Sequence, residues 1–191
     1  MTEQSVRAVI GVLLLVVMLV PLPAPDARAN HIDEYRAKAT FLAAFPKFIE
    51  WPPDAFPSQQ APLLLCVFGD FSFGTTLAEI TRGTAVRGRA VEVRWARKEQ
   101  DLHACQILFV SRSEAKRYAK IFKVLEGASV LTVGETPDFL ASGGAIGFLM
   151  EDDRLQFEVS VDAAADARLR ISSSMLALAR HVIASTRAVK G

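Results

Sequence analysis

Only a few residues of the 191-residue chain stand at spacings that could carry chemistry, and the candidate metal ligands are the first to consider. His103 lies two positions before Cys105, and three carboxylates occupy residues 151–153. A protein zinc site needs three or four ligands, and the sequence offers no second cluster to complete one. A calcium loop alternates its ligands, whereas the acidic run is contiguous. We therefore predict no metal site and no cofactor, and we interpret residues 151–153 as a solvated turn.

Motifs for nucleophilic catalysis and nucleotide binding are also incomplete. The serine run at residues 172–174 lacks the lysine of an S-x-x-K arrangement, and there is no G-x-S-x-G elbow. Asp70 follows an apolar run, at a position where ligands collect in open α/β sheets. Residues 69–74 are not a dinucleotide fingerprint, however, and a helix cap is the better interpretation of Asp70. Because no nucleophile, base and oxyanion donor can be assembled, we predict a non-enzymatic chain without catalytic residues.

Four side chains are candidates for binding a partner or a ligand. Phe48 and Trp51 belong to residues 41–51, which concentrate aromatic rings around one basic and one acidic residue. A core-facing helix accounts for most of these rings, but they cannot all share one helical face, and exposed aromatic rings are typical of partner contacts. Arg180 and His181 are adjacent on the expected last helix. Together they could meet an anion, although basic residues late in a helix also suit its dipole.

The first thirty residues have the order of a secretory signal peptide. An uncharged apolar run at residues 8–20 is followed by three prolines and then by a small-x-small site at residues 27–29. The alternative is an uncleaved membrane anchor, but a spanning helix wants about 20 apolar residues and this run is shorter. We expect cleavage before Asn30, which gives a signal peptide over residues 1–29 and a single exported domain over residues 30–191.

The two cysteines, Cys66 and Cys105, are interpreted together with export. In an oxidising compartment an isolated pair is typical of a disulfide. The alternative is two buried free thiols, because Cys66 stands in an apolar run. A disulfide here would close a loop of about 40 residues, for which the chain-entropy treatment gives roughly 4 kcal/mol of stabilisation.

The charge balance excludes one class of partner. Lys and Arg number 22 against 21 Asp and Glu, so the formal net charge is +1. The sequence has no basic tract, no RNA-binding aromatic motif and no zinc-finger spacing. We therefore predict no nucleic-acid binding.

Hydrophobic periodicity predicts the elements that must position these residues. Unbroken apolar runs at residues 63–68 and 107–110 predict strands buried on both faces, whereas alternation at residues 91–95 predicts a strand with one exposed face. A first helix is predicted over residues 30–50, where Pro46 is expected to kink or shorten it, and a last helix from residue 172 to residue 183. Shorter helices are predicted over residues 73–80, from the capping box at residues 111–114 to Gly127, and from residue 136. The remaining predicted elements are a strand over residues 130–133 and a hairpin of residues 145–150 and 155–161. This order predicts one α/β domain, a mixed β-sheet with helices on both faces.

Short segments in a fixed order resemble the YfiR-like periplasmic proteins, and together they cover nearly all of the expected mature chain. The segments are KATFL at 38–42, FPKFIEWP at 45–52, CVFGD at 66–70, CQILFVS at 105–111, VLTV at 130–133, GGAI at 143–146, RLQFEV at 154–159 and LRISS at 169–173.

The resemblance implies a periplasmic repressor that binds the periplasmic domain of an inner-membrane diguanylate cyclase and lowers cyclic-di-GMP and biofilm formation. It also implies a homodimer and an outer-membrane lipoprotein that sequesters the repressor. Cys66 and Cys105 match the family's positions for a structural disulfide, whereas the second pair of the better-known repressor is absent. Pro46 departs from the family's usual residue. The alternative function is a periplasmic small-molecule-binding sensory module, with Arg180 and the strand ends as pocket candidates.

Overall fold

The structure is a computed structural model that describes residues 27–70 and 75–184, with side chains from Glu34 onward. Nearly all of the signal peptide expected over residues 1–29 lies outside the described residues. By its internal contacts the chain divides into two units, Met1–His31 and Ile32–Gly191, and the second carries every strand described below. Within the described part of the chain, no helix is both long and apolar enough to cross a membrane.

The described elements are five α-helices and ten strands. The helices are α1 Ala27–Ala44, α2 Thr76–Thr81, α3 Tyr118–Val124, α4 Val161–Asp166 and α5 Ser173–Leu178. The strands are β1 Ile49–Glu50, β2 Leu63–Phe68, β3 Ala85–Val86, β4 Arg89–Ala96, β5 Ile107–Val110, β6 Leu131–Gly134, β7 Ile146–Glu151, β8 Arg154–Ser160, β9 Arg170–Ile171 and β10 His181–Ile183. Short 3-10 helices occupy Phe45–Phe48, Pro53–Ala55, Glu99–Ala104 and Arg112–Arg117.

Eight strands form one mixed sheet in the order β10-β8-β7-β6-β5-β2-β4-β3. The central strands β4, β2, β5, β6 and β7 run parallel to one another. The β7–β8 hairpin and the β3–β4 pair are antiparallel, and β10 joins β8 in parallel. A separate two-stranded sheet pairs β1 with β9. All residues of β2 and β5 are buried, as expected of parallel strands covered on both faces.

The sheet order places helices on opposite faces. The chain leaves β2 through α2 and enters β4 on one side, then returns through β5 to the other side of β2. Because crossovers between parallel strands are right-handed, this reversal puts α2 and α3 on opposite faces. Leu77 of α2 accordingly packs in one core with α1, and Ile121 of α3 packs in a second core. The predicted fold class, a mixed sheet with helices on both faces, is confirmed.

The first helix ends earlier than the sequence predicts. It stops at Ala44, the residues Phe45–Phe48 form a 3-10 helix, and the chain is extended from Ile49. Pro46 explains the change, because a proline removes an amide donor and disfavours helical backbone in the residue before it. The helix is therefore shortened at Pro46, as that residue predicts, and the predicted end at residue 50 is wrong.

The last helix is also shorter than predicted. It is capped by Ser172, as expected, but ends at Leu178. The Arg180 amide donates to the Phe157 carbonyl oxygen at 2.8 Å, and His181–Ile183 continue as strand β10 beside β8. The prediction that a helix continues to residue 183 is wrong, because β-branched Val182 and Ile183 suit a strand wherever a sheet edge is available.

The structure confirms two local expectations, the turn at residues 151–153 and the disulfide. The acidic run turns the β7–β8 hairpin, where Asp152 and Asp153 both have positive φ, 49° and 57°. Positive φ at both central residues is the signature of a type I′ turn, whose twist matches that of the flanking strands. Cys66 and Cys105 are joined in a disulfide, with Cα atoms 5.8 Å apart, and both side chains are buried.

Candidate functional site

The point between β2 and β5, where the strand order reverses, is closed by hydrogen bonds. The Asp70 amide donates to Ser113 Oγ at 2.9 Å, and Ser111 Oγ donates to the Asp70 carbonyl oxygen. A Cβ on Gly69 (φ +95°) would lie 2.6 Å from Ser113 Oγ, so the side chains of Ser113 and Glu114 already fill the space beside Gly69. Asp70 does not cap α2, whose N-cap residue is Thr75, and that interpretation is wrong.

A charged residue stands on the buried face of α1, beside this point. Tyr35, Ala39 and Leu42 form that face, and Lys38 lies among them with only 2% of its surface exposed. Its Nζ atom is 2.5 Å from Glu135 Oε2 and also donates to Glu34. The Glu135 side chain, which follows β6 directly, is 1% exposed. Removing two charges from water is costly, so the pair has to hold a close geometry to be tolerated.

Arg112 completes this ionic network from the end of β5. Its amide donates to Glu135 Oε1 at 3.0 Å, and its Nε atom lies 3.4 Å from the same oxygen. Its Nη2 atom is 3.9 Å from Glu34 Oε1. The Arg112 side chain is 57% exposed, in contrast to Lys38 and Glu135. The network therefore has a buried half and a half that solvent reaches.

The network decides the ionisation of its buried carboxylate. Burial alone raises the pKa of Glu135. Hydrogen bonds from the Lys38 ammonium group and from the Arg112 backbone amide, together with the positive charges of the Lys38 and Arg112 side chains, outweigh burial and hold that pKa below its ordinary value. The neighbouring Tyr35 has its pKa raised, first by burial and then by the negative charge of Glu135. Glu135 is thus a fixed negative charge that holds Lys38 in place.

A cleft of about 380 Å³ lies against the network, in the size range of small-molecule sites. One wall is charged and consists of Glu34, Lys38, Arg112 and Glu135. The opposite wall comes from the turn after β6 and from the β7–β8 hairpin and is mostly apolar. That wall includes Thr136, Pro137, Leu140, Gly147, Phe148, Leu149, Met150, Leu155 and Glu158.

Residues 41–51, the aromatic segment, carry Phe48 and Trp51 away from this cleft, and both rings are only partly buried. Phe48 and Trp51 pack against the core without being enclosed by it, and Trp51 Nε1 donates to the Gln106 carbonyl oxygen at 3.2 Å. The Trp51 ring meets Phe56 edge to face, and the Arg89 guanidinium stacks 3.8 Å from the Phe56 ring centroid. The rings of Trp51 and Phe56 line a second, smaller cleft of about 180 Å³.

Arg180 and His181 lie at the edge of the sheet rather than on a helix. Arg180 binds Glu151 with two contacts of 2.7 and 2.8 Å, and His181 Nδ1 is 2.7 Å from Glu158 Oε1. Both basic residues thus hold the hairpin and β10 together. Trp51 contacts the residue before β5, which is three strands away from β8, so the predicted site residues do not form one cluster.

Lys38 and Glu135 are the residues that sequence reasoning missed. The signal for Lys38 was present, since a lysine interrupts an otherwise apolar helical face. Glu135 had no comparable signal, because a carboxylate after a strand is ordinarily solvated. Within residues 27–70 and 75–184, no group of three or more His, Cys, Asp or Glu side chains is placed to hold a metal ion.

Two solved structures are similar to part of this chain. One is described as a conserved domain protein from Vibrio cholerae O1 biovar El Tor, with TM-score 0.49 and 9% identity over 78% of this chain and 60% of that one. The other is an ABC domain in complex with L-Trp from Streptococcus pneumoniae, with TM-score 0.47 and 10% identity over 63% of this chain and 55% of that one. Similarity this low says nothing about function.

The sequence profile of the YfiR/HmsC-like family matches residues 35–180, from the buried face of α1 to the residue before β10. The match includes both cysteines, the ionic network from Lys38 to Glu135, and the strand ends around the cleft. It covers well over half of the chain, and the protein therefore belongs to the YfiR/HmsC-like family.

Proposed function

We propose that this protein is a periplasmic repressor that binds the periplasmic domain of an inner-membrane diguanylate cyclase and holds that enzyme inactive. Membership of the YfiR/HmsC-like family is the observation that supports the proposal, because the match runs through nearly the whole described domain. The regulatory character of that family favours a binding function over catalysis. Signal-peptide cleavage before Asn30 is part of the same proposal, since only an exported chain meets the periplasmic partner.

The repressor acts by binding one conformation of the cyclase more tightly than the other. A ligand shifts a conformational equilibrium only by its differential affinity for the two states. Moving a cyclase from 99% active to 1% active takes a preference of about 10⁴-fold for the inactive state. Such a preference requires an interface with a well-packed centre rather than scattered polar contacts.

The aromatic segment is the surface that fits this requirement best. Trp51 and Phe48 are half-buried, and Arg87 and Arg89 line the cleft beside Trp51. Interface centres are enriched in aromatic residues and arginine, because these side chains combine a large contact area with directed hydrogen bonds. We place the cyclase contact here. Arg180 and His181 remain a second, more polar candidate at the sheet edge.

The family resemblance also supplies two further partners. We propose that the repressor is a homodimer and that an outer-membrane lipoprotein sequesters it when the cyclase is released. Light scattering of the exported protein tests the first proposal directly, since a monomer would have half of the expected mass.

Deletion of the gene tests the repressor function in cells. In a strain that expresses the cognate cyclase, deletion raises cellular cyclic-di-GMP, measured by mass spectrometry, and increases biofilm. The full chain restores the low level, whereas a version without residues 1–29 does not, because it stays in the cytoplasm. Unchanged cyclic-di-GMP after deletion would reject the proposal.

A further inference from the structure

The cleft beside the ionic network has one charged wall and one mostly apolar wall, as expected of a ligand site. Its charged wall comes from α1 and from the carboxyl ends of β5 and β6, where open α/β sheets bind ligands. Its apolar wall includes Phe148, Met150 and Leu155 of the hairpin. Met150 is 47% exposed although it is a large apolar side chain, and it stands on that wall.

The most exposed charged side chain in this cleft is positive, because Arg112 is 57% exposed against 20% for Glu34 and 30% for Glu158. The carboxylate of Glu135 is 1% exposed and already holds Lys38, and Glu34 is 20% exposed and bound to the same ammonium group. The guanidinium of Arg112 is 57% exposed, and its contacts to the two carboxylates are long, at 3.4 and 3.9 Å. Glu158, on the opposite wall, is engaged by His181.

Arg112 is also held in the right place for an anion. Its backbone amide is fixed on Glu135, so the side chain starts from a rigid point at the end of β5. A guanidinium presents five N–H donors in a planar fork that matches a carboxylate. The contacts of this guanidinium to Glu34 and Glu135 are long, so some of its N–H donors remain available to a ligand in the cleft.

We propose that this cleft binds a small organic carboxylate with an apolar body. Arg112 receives the carboxylate, and Phe148, Met150 and Leu155 pack against the apolar body. The site is separate from the aromatic segment assigned above to the cyclase, and it does not depend on the repressor function.

Calorimetric titration of the exported protein, purified from periplasmic extract, tests the site with octanoate as the probe. We expect saturable binding of one octanoate per chain, at concentrations below micelle formation. Octanamide has the same chain without the charge and should bind at least about tenfold more weakly, because a charge-assisted hydrogen bond to a guanidinium is lost. Absence of saturable octanoate binding, or equal binding of both compounds, overturns the proposal.

Two variants locate the binding. Arg112→Gln should weaken octanoate binding about tenfold or more and leave octanamide unaffected, whereas Arg112→Lys should retain part of the preference for the anion. Met150→Glu places a negative charge on the exposed part of the apolar wall and should also abolish octanoate binding. Leu178→Glu, a change at an even more exposed apolar residue outside the cleft, should leave it unchanged.

Met150→Glu keeps the test decisive if Arg112→Gln fails to fold, because Met150 is exposed and contributes little to the core. Octanoate binding that survives Met150→Glu would overturn the assignment to this cleft. The titration contains no membrane protein, so a negative result would leave the repressor proposal standing.

Discussion

At the scale of single residues, the buried pair of Lys38 and Glu135 sets the chemistry of the domain. A lysine among Tyr35, Ala39 and Leu42 would normally destabilise the helix–sheet contact. Here its ammonium group reaches a carboxylate that follows β6, and Arg112 supports that carboxylate from β5. The pair therefore ties α1 to two neighbouring strand ends.

Replacing one partner of the ion pair should destabilise the protein more than replacing both partners. Lys38→Met leaves Glu135 buried with fewer partners, and we expect a loss of about 3–5 kcal/mol in the free energy of unfolding, measured by urea titration. The double variant Lys38→Met, Glu135→Leu should be more stable than the sum of the two single changes predicts, by at least about 1 kcal/mol. Lys123→Met, at an exposed lysine, should change stability by less than about 0.5 kcal/mol. Strictly additive effects at residues 38 and 135 would contradict this account.

The same pair predicts a dependence of stability on acid. The pKa of Glu135 is lower in the folded state, so its contribution is complete above the unfolded pKa of about 4.3 and is lost as pH falls through the folded pKa. The urea midpoint of the wild type should therefore fall more steeply below about pH 4.3 than that of the Lys38→Met, Glu135→Leu variant. Parallel curves for the two proteins would show that Glu135 does not contribute.

At the scale of elements, the disulfide joins β2 to the end of the segment that leads into β5. Cys66 and Cys105 are 39 positions apart, and both are buried in the core on the α3 side of the sheet. A bridge over a loop of that length is expected to stabilise the fold by roughly 4 kcal/mol. Changing both cysteines to alanine should lower the urea midpoint accordingly, whereas an unchanged midpoint would show that packing alone holds these strands.

The aromatic segment gives a prediction with a matched control, because the chain has two tryptophans. Trp51→Ala should abolish capture of the cyclase while the protein stays folded by circular dichroism. Trp95→Ala changes a 40% exposed ring on β4 and should leave capture intact. If Trp51→Ala unfolds the protein, Trp51→Phe supplies the second variant. Full capture by a folded Trp51 variant would move the interface elsewhere, with Arg180 and His181 next to be tested.

The strands could be predicted from sequence far better than the helix ends and the charged cleft. Apolar runs such as Leu63–Phe68 fix a buried parallel strand by composition alone. Helix α1 ends near Pro46, which is a local signal, but its last residue is not fixed by that signal. Strand β10 forms because β8 offers a sheet edge, and no local pattern reveals that edge. The ion pair joins residues 38 and 135, 97 positions apart, so only the folded chain shows it.

At the scale of the whole molecule, the cleft with Arg112 and the aromatic segment with Trp51 lie at different places on the domain. The cleft with Arg112 lies at the carboxyl ends of β5 and β6, whereas Trp51 contacts the residue before β5, at the opposite end of that strand. Arg180 and His181 lie on the edge formed by β10, where His181 contacts Glu158 of the cleft wall. The proposed cyclase contact and the proposed carboxylate site therefore use different residues.

Capture of the partner from membranes tests the repressor function most directly. The exported, oxidised protein is immobilised and incubated with a detergent-solubilised membrane fraction, and bound proteins are identified by mass spectrometry. We predict recovery of an inner-membrane protein with a cytoplasmic diguanylate cyclase domain. If the immobilised protein is folded, the cyclase is present in the fraction, and no such protein is recovered, the repressor account is contradicted.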